Sequence, residues 1–207
     1  GQTDWNAAGR IQGASDVPLN ENGREQARQL ASKLAASGGR LGAIYSSPLK
    51  RALETAGIIG RELGISPVSE RALMELSFGD WEGCSWDEIG RRWPEQFAAY
   101  SADRRNYAPP NGESYAEMLG RAWPFVDALR RMPGDAAALC VCHSAVMRGL
   151  LAREQGLGVA ESYKRIKLPN GALAELTEDG TIPAIIEKYI PSTETAEEAP
   201  AEEAAAE

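Results

Sequence analysis

Two short apolar runs, GAIYS at 42–46 and AAALCVC at 136–142, each lead straight into an amphipathic helix. An apolar run of this length fits a strand buried on both faces, and a helix after each supplies the crossover that parallel pairing needs. The rest of the chain keeps the alternation. Asn22 with Glu25 reads as a capping box, and behind it Ala27, Leu30, Ala31 and Leu34 recur at helical spacing until Gly38 and Gly39 stop the helix. Ser47, with Pro48 at the first helical position, should cap a second helix running to about Gly64. Leu73 to Gly83 reads as strand and turn, and Ser85 with Glu88 repeats the capping box. A helix from near Glu113 past Arg131 should kink or divide at Pro124. Asp179-Gly180, between ALAELTE and TIPAIIEKYI, signals a hairpin. The pattern predicts one α/β domain over residues 1–190. Its architecture is a three-layer sandwich, a mostly parallel sheet with helices on both faces and an antiparallel C-terminal hairpin.

Charge narrows the partners. The formal net charge is −8, but the last 17 residues, PSTETAEEAPAEEAAAE, hold six Glu and no Lys or Arg. Without them 22 basic residues face 24 acidic ones, a body near neutrality. Residues 191–207 lack the apolar side chains that would order them and read as a disordered acidic tail. The body has no basic stripe, which argues against nucleic acid, and no apolar run approaches the roughly 18–20 residues that span a bilayer. Cys84, Cys140 and Cys142 form no metal or redox spacing, and an odd count suits a reducing cytoplasm. No metal or organic cofactor is indicated, and the oligomeric state is left open.

In an α/β sheet, chemistry belongs beyond the C-terminal ends of the strands. At YSSPLKR a strand gives way to a helix with Lys50 and Arg51 in its first turn. Glu54 could pair with both cations; alternatively the helix dipole, the free amides and Arg51 converge on a bound anion such as phosphate. At CVCHSAVMR the only histidine of the chain, His143, sits at a strand end and a helix start, where a structural role and a catalytic one both stand. In LMELSFGDWEG, Glu75 lies among Leu73, Leu76 and Phe78. It is either an ordinary turn carboxylate or one whose desolvation raises its pKa into the range of acid catalysis.

Taken in order, seven segments resemble those of the histidine phosphatase superfamily, the phosphoglycerate mutase-like proteins. They are GQTDWN, RIQG, D-x-PLNENG, YSSPLKRALETA, LMELSFGDWEG, PPNGES and VCHSAVMR. That family's first motif is Arg-His-Gly-(Glu/Gln)-Thr-x-x-Asn at the end of its central strand, and Gly1-Gln2-Thr3 matches the second half. The resemblance implies a two-step phosphoryl transfer by a histidine expected just before Gly1, through a phosphohistidine. It implies that Arg51 and His143 stabilise the phosphoryl oxygens and that Glu75 is general acid and then base. Gly1, Gln2, Thr3, Asn6, Gln12 and Gly13 would line the phosphate end, with Ser144 where the family usually has glycine.

The substrate implied is a small phosphorylated molecule. FGDWEG, a modest helical insertion and PPNGES are similar to the broad-specificity and alpha-ribazole phosphatases, with a phosphoglycerate mutase as the runner-up. A third reading is a catalytically inactive domain that binds a phosphate ligand or a protein. Residues 1–207 alone, without a preceding strand, are expected to be inactive and to fold poorly. Trp86, Trp93, Tyr100 and Tyr107 fall in the region expected to roof the pocket, and packing is the favoured role for most of them.

Overall fold

The computed structural model describes residues 1–133 and 136–176. Among these residues three strands form one sheet: β1 (Leu41–Ser46), β2 (Pro67–Ser69) and β3 (Ala137–Val141). The helices are α1 (Asp4–Ala7), α2 (Glu21–Ala36), α3 (Lys50–Leu63), α4 (Trp86–Arg92), α5 (Pro94–Ala102), α6 (Tyr115–Arg130), α7 (Ser144–Glu154) and α8 (Val159–Arg165). The strand order is β2-β1-β3, and both pairings are parallel.

Register decides what each face of the sheet buries. Ile44 lies opposite Leu139, and Tyr45 opposite Cys140. Side chains alternate across a strand, so these two rows point to opposite faces. Ile44 and Leu139 pack with Leu30, Ala31, Leu34, Ala56 and Ile59 of α2 and α3. Tyr45 and Cys140 pack against the core that holds Met118, Val146 and Leu150 of α6 and α7, and the Tyr45 ring meets Phe125 edge-on at 5.3 Å. The α/β layering predicted from the sequence is therefore present, with helices on both faces of a parallel sheet. The hairpin around Asp179-Gly180 and the acidic tail lie outside the described residues.

Local expectations fared unevenly. Helix α2 is capped by Asn20, whose Oδ1 accepts the Gly23 N–H at 2.8 Å, and not by Asn22. Asn22 is already helical and donates to Gln2, while Glu25 pairs with Arg28 instead of closing a capping box. Helix α3 begins at Lys50, two residues later than Pro48 suggested, and ends at Gly64 in the left-handed conformation (φ 70°) that glycine adopts freely. Leu73 to Gly83 is not a strand. It begins at the end of one 3₁₀ turn, Arg71–Leu73, and holds another, Gly79–Trp81, because Leu73, Leu76, Phe78 and Trp81 all turn into one core and do not alternate. Pro124 does not divide α6, which continues to Arg130 with Met118, Ala122 and Val126 buried. The capping boxes at Ser85/Glu88 and Ser114/Glu117 both form. In β3 only Leu139 is fully buried while Ala137 and Ala138 are exposed, because this strand is an edge of the sheet among the described residues.

The region expected to roof the pocket is an aromatic cluster. Trp86 stacks on Tyr100 at 5.9 Å, and Trp81 meets Tyr100 edge-on at 5.4 Å. Trp81 and Tyr100 are wholly buried, so Tyr100 packs the core rather than a ligand. Trp93 and Tyr107 lie half-buried against the same cluster.

Candidate active site

The candidate site forms where β1 and β3 end. The Ser47 N–H donates to the Val141 carbonyl at 2.9 Å, tying the two strand ends together just before their helices begin.

At the start of α3 the chain supplies its own anion. The Asp16 carboxylate accepts the Lys50 N–H at 2.6 Å and pairs with the Lys50 ammonium at 3.2 Å. That backbone bond, with the ammonium beside it, holds Asp16 below the ordinary carboxylate range. Glu54, which could have paired with Lys50 and Arg51, instead binds Arg24 at 2.6 Å. Arg51 turns from the helix end into the interior. Its Nη1 donates to the Ser15 carbonyl at 2.8 Å and its Nη2 to the Gly13 carbonyl at 2.7 Å. Burial pulls the Arg51 pKa down, while the Glu75, Asp16 and Glu82 carboxylates oppose that pull. A guanidinium keeps its proton under such a shift, so the buried charge stays.

At the start of α7 the carboxylate that reaches the helix end is Glu75, and its bond is longer. His143 occupies the N-cap position but makes no side-chain cap. Its imidazole is buried, and Nε2 has no hydrogen-bond partner among the described residues. Burial first, then the positive charges of Arg51 and Arg121, hold its pKa well below the ordinary histidine value. At neutral pH the ring is uncharged, one nitrogen a donor and the other an acceptor. Glu75 reaches this helix end from the side, its Oε2 taking a long bond from the Ala145 N–H at 3.4 Å and its Oε1 one from the Leu76 N–H at 2.9 Å.

The first residues of the chain close the other side. Gly1 packs against Gly23 near the start of α2, where a Cβ on it would run into the Gly23 carbonyl. Thr3 is fully buried, and its hydroxyl reaches Gln12 Oε1 at 2.8 Å. Asn6 is exposed, and its Oδ1 accepts the Thr3 N–H at 3.0 Å. Gln2 turns its side chain to Asn20 and Asn22 at the start of α2, away from the group around His143. Gly13 is buried at φ 51°, and its carbonyl holds Arg51. Ser144 is exposed in the first turn of α7. The structure thus gathers Arg51, Glu75, His143 and Gly13, while Gly1 packs against Gly23. Thr3, Asn6 and Gln12 bond to one another, and Gln2 belongs to α2.

Three contributors were missed in the sequence. Arg121 donates to the carbonyls of Ala72, Met74 and Glu75 at 2.9, 2.7 and 3.0 Å and grips Glu113 with two bonds, fixing the segment that carries Glu75. Asp16 and Glu82 are the others. Each acts across many residues of chain, so no spacing could have pointed to it. Beside Glu75 lies a cavity of about 500 Å³ lined by Ala14, Arg71, Ser77, Glu113 and Arg121 among others.

A buried arginine, a buried neutral histidine and a carboxylate facing each other across the ends of a parallel sheet define an anion-handling α/β enzyme. The chain belongs to the histidine phosphatase superfamily, whose branch 1 sequence model matches residues 1–189. Phosphoglycerate mutase-like protein 4 of Arabidopsis thaliana is 35% identical over 155 residues, covering 74% of this chain and 67% of that protein. Phosphoserine phosphatase 1 of Hydrogenobacter thermophilus is 30% identical over 162 residues, covering 78% and 76%. A mycobacterial glucosyl-3-phosphoglycerate phosphatase superposes with a TM-score of 0.73 at 31% identity, over 84% of each chain.

Proposed function

We propose that the complete protein hydrolyses small phosphomonoesters through a phosphohistidine. The observation that carries this reading is His143 Nε2, a buried polar atom without a partner among the described residues, set beside the Arg51 guanidinium at the uncapped end of α7. Such an atom is costly unless a ligand answers it. A phosphate dianion between Arg51, His143 and the first amides of α7 would do so.

The nucleophile is the histidine expected immediately before Gly1. Its ring nitrogen forms the bond to phosphorus while the bond from phosphorus to the ester oxygen breaks. Glu75, then in its acid form, gives its proton to that leaving oxygen and becomes a carboxylate. In the second step the carboxylate takes a proton from water as the water oxygen attacks phosphorus, and the phosphorus–nitrogen bond breaks. Phosphate leaves, and both groups return to their starting states. Arg51 stabilises the charge gathered on the equatorial oxygens, the largest contribution in phosphoryl transfer. Gly1, Gly13 and Ser144 border the phosphate, with Thr3, Asn6 and Gln12 bracing Gly1 and Gly13.

The named phosphatase relatives support a small substrate, and the cavity beside Glu75 has room for a modest leaving group. Among the described residues no helix is long and apolar enough to cross a membrane. The three unbridged cysteines suit a reducing cytoplasm, and burial pushes the Cys140 thiol up to about 12.

The test is to incubate the complete protein with 3-phosphoglycerate, phosphoserine and p-nitrophenyl phosphate. Release of inorganic phosphate with an acid-labile phosphoprotein intermediate is the expected result. Formation of 2-phosphoglycerate without net phosphate release would make the protein a mutase. Neither product, with phosphate still bound, would favour a binding domain.

A further inference from the structure

Glu82 stands near the end of the run LSFGDWEG, yet no role for it follows from the sequence or from the reaction as described. Its carboxylate joins two loops. Oε1 accepts the Ala14 N–H at 2.8 Å and the Phe78 N–H at 3.0 Å, and Oε2 accepts the Ser15 hydroxyl at 2.5 Å. Ser77 Oγ approaches Oε1 at 3.4 Å. One loop, Gly13 to Ser15, supplies both carbonyls that hold the Arg51 guanidinium. The other, Ser77 and Phe78, follows Glu75 closely, and its Ser77 sits on the same cavity wall.

Two further observations tie the loops to this carboxylate. Gly13 lies at φ 51°, and a Cβ on it would run into the Glu82 carboxylate and the Phe78 nitrogen. The loop is therefore seated on Glu82 with no room for a side chain between them. The negative charge of Glu82 also acts on Arg51 itself, opposing the effect of its burial.

We infer that Glu82 is a positioning residue for phosphoryl transfer: it sets the Gly13–Ser15 loop that holds Arg51 and fixes that loop's register against the turn that carries Glu75. It touches no substrate. Two of the five guanidinium donors are taken by the loop carbonyls, so the direction of the rest depends on where the loop sits. A displacement of about 1 Å in such a group costs on the order of 100-fold in rate. The inference rests on the phosphatase reading for its kinetic consequence but not for its geometry, and the experiment separates the two.

In the complete protein, Glu82→Ala should lower kcat/KM for p-nitrophenyl phosphate roughly 10- to 100-fold and weaken inhibition by orthovanadate in parallel. Glu82→Gln should recover most of the loss, since its amide oxygen can accept from Ala14 and Phe78 while its NH₂ donates to the Ser15 oxygen. Glu82→Asp, one methylene shorter, keeps the charge but cannot span both loops; it should fall about tenfold, and it carries the same comparison if the alanine variant does not fold. Combined with Arg51→Ala, neither variant should slow the enzyme further. An undiminished loss in the Arg51→Ala background would overturn the inference. So would activity that falls only with the folded fraction while KM and orthovanadate inhibition stay constant. A protein that hydrolyses no phosphomonoester defeats the phosphatase reading alone. The positioning role is then read from the Arg51 Nη resonances of the ligand-free protein: separate signals from hindered rotation in wild type and Glu82→Gln, averaged signals in Glu82→Ala and Glu82→Asp. Identical spectra in all four would refute it.

Discussion

The junctions β1–α3 and β3–α7 are built alike and finished differently. Both are parallel strands running into helices, both helix ends carry the same partial positive charge, and the Ser47–Val141 bond holds them side by side. At the first, Asp16 occupies the Lys50 amide, and the neighbouring arginine is anchored on carbonyls. At the second, the N-cap His143 makes no cap, its Nε2 has no partner among the described residues, and the Ala145 N–H gives a long bond to Glu75. The fold offers two similar helix ends, and a carboxylate of the protein reaches each, Asp16 closely and Glu75 at 3.4 Å. Changes of Glu75, His143 or Arg51 should therefore reach catalysis, and a change of Asp16 should reach stability.

The largest effects are expected at Glu75 and Arg51. In the complete protein Glu75→Gln removes the proton donor and acceptor and should lower kcat on p-nitrophenyl phosphate by roughly 10²–10⁴-fold. A good leaving group such as 2,4-dinitrophenolate needs less protonation, so the deficit in the first step should shrink with it. An equal deficit on both esters would remove Glu75 from the acid role. Arg51→Ala should cost on the order of 10²–10³-fold in kcat/KM. Arg51→Lys should recover little of that, because an ammonium is a point charge and cannot bridge the carbonyls of Gly13 and Ser15. Near-complete activity in Arg51→Lys would mean that charge alone, and not the forked geometry, matters at this position.

What the sequence revealed of these junctions follows the range of the interactions. Strands, helices and capping boxes depend on residues three or four apart, and Ser85/Glu88 formed as their spacing implies. Arg51, Glu75 and His143 were legible because each lies in a short segment at a strand or helix end, and a resemblance to a known family joined the segments. Asp16 filling the end of α3 was not legible, since 34 residues separate it from Lys50. Of the two readings open for that helix end, pairing with Glu54 and a bound anion, neither could name Asp16 for this reason. Arg121 and Glu82 escaped on the same ground, acting on backbone groups that carry no side-chain signature. Leu73 to Gly83 was misjudged because apolar content was read without its spacing.

The pH dependence of stability offers a smaller effect that still separates the junctions. The His143 pKa is lowered in the folded protein, chiefly by burial. Between that lowered value and about 6.5, the unfolded chain binds more protons at this residue than the folded one, so stability must fall as pH falls through this window. The slope approaches at most about 1.4 kcal/mol per pH unit for one proton. In urea titrations of the complete protein from pH 7.5 to 5, His143→Gln should lose less stability than wild type. Added phosphate should flatten the wild-type curve, because a bound anion favours the protonated ring. Parallel curves for the two proteins, with and without phosphate, would show that His143 is satisfied by a group of the protein.

The smallest effect is expected at the filled junction, and it tests whether filling alone makes the difference. Asp16→Ala strips the Lys50 amide of its partner, a loss of the kind a missing N-cap causes, about 0.5–2 kcal/mol and at the lower end because Asp16 is exposed. The Asp16 pKa is depressed in the folded state, so its contribution is present above the unfolded value of about 3.9 and disappears as pH falls through the folded value. Wild type and variant should therefore differ in Tm at pH 7 and converge in acid. With the carboxylate gone, the first turn of α3 presents an amide end without its carboxylate, still flanked by Lys50. Sulfate should then raise the Tm of Asp16→Ala more than that of wild type. An equal response to sulfate would mean that the two helix ends differ in geometry before any side chain fills them, and the contrast would belong to the backbone and not to Asp16.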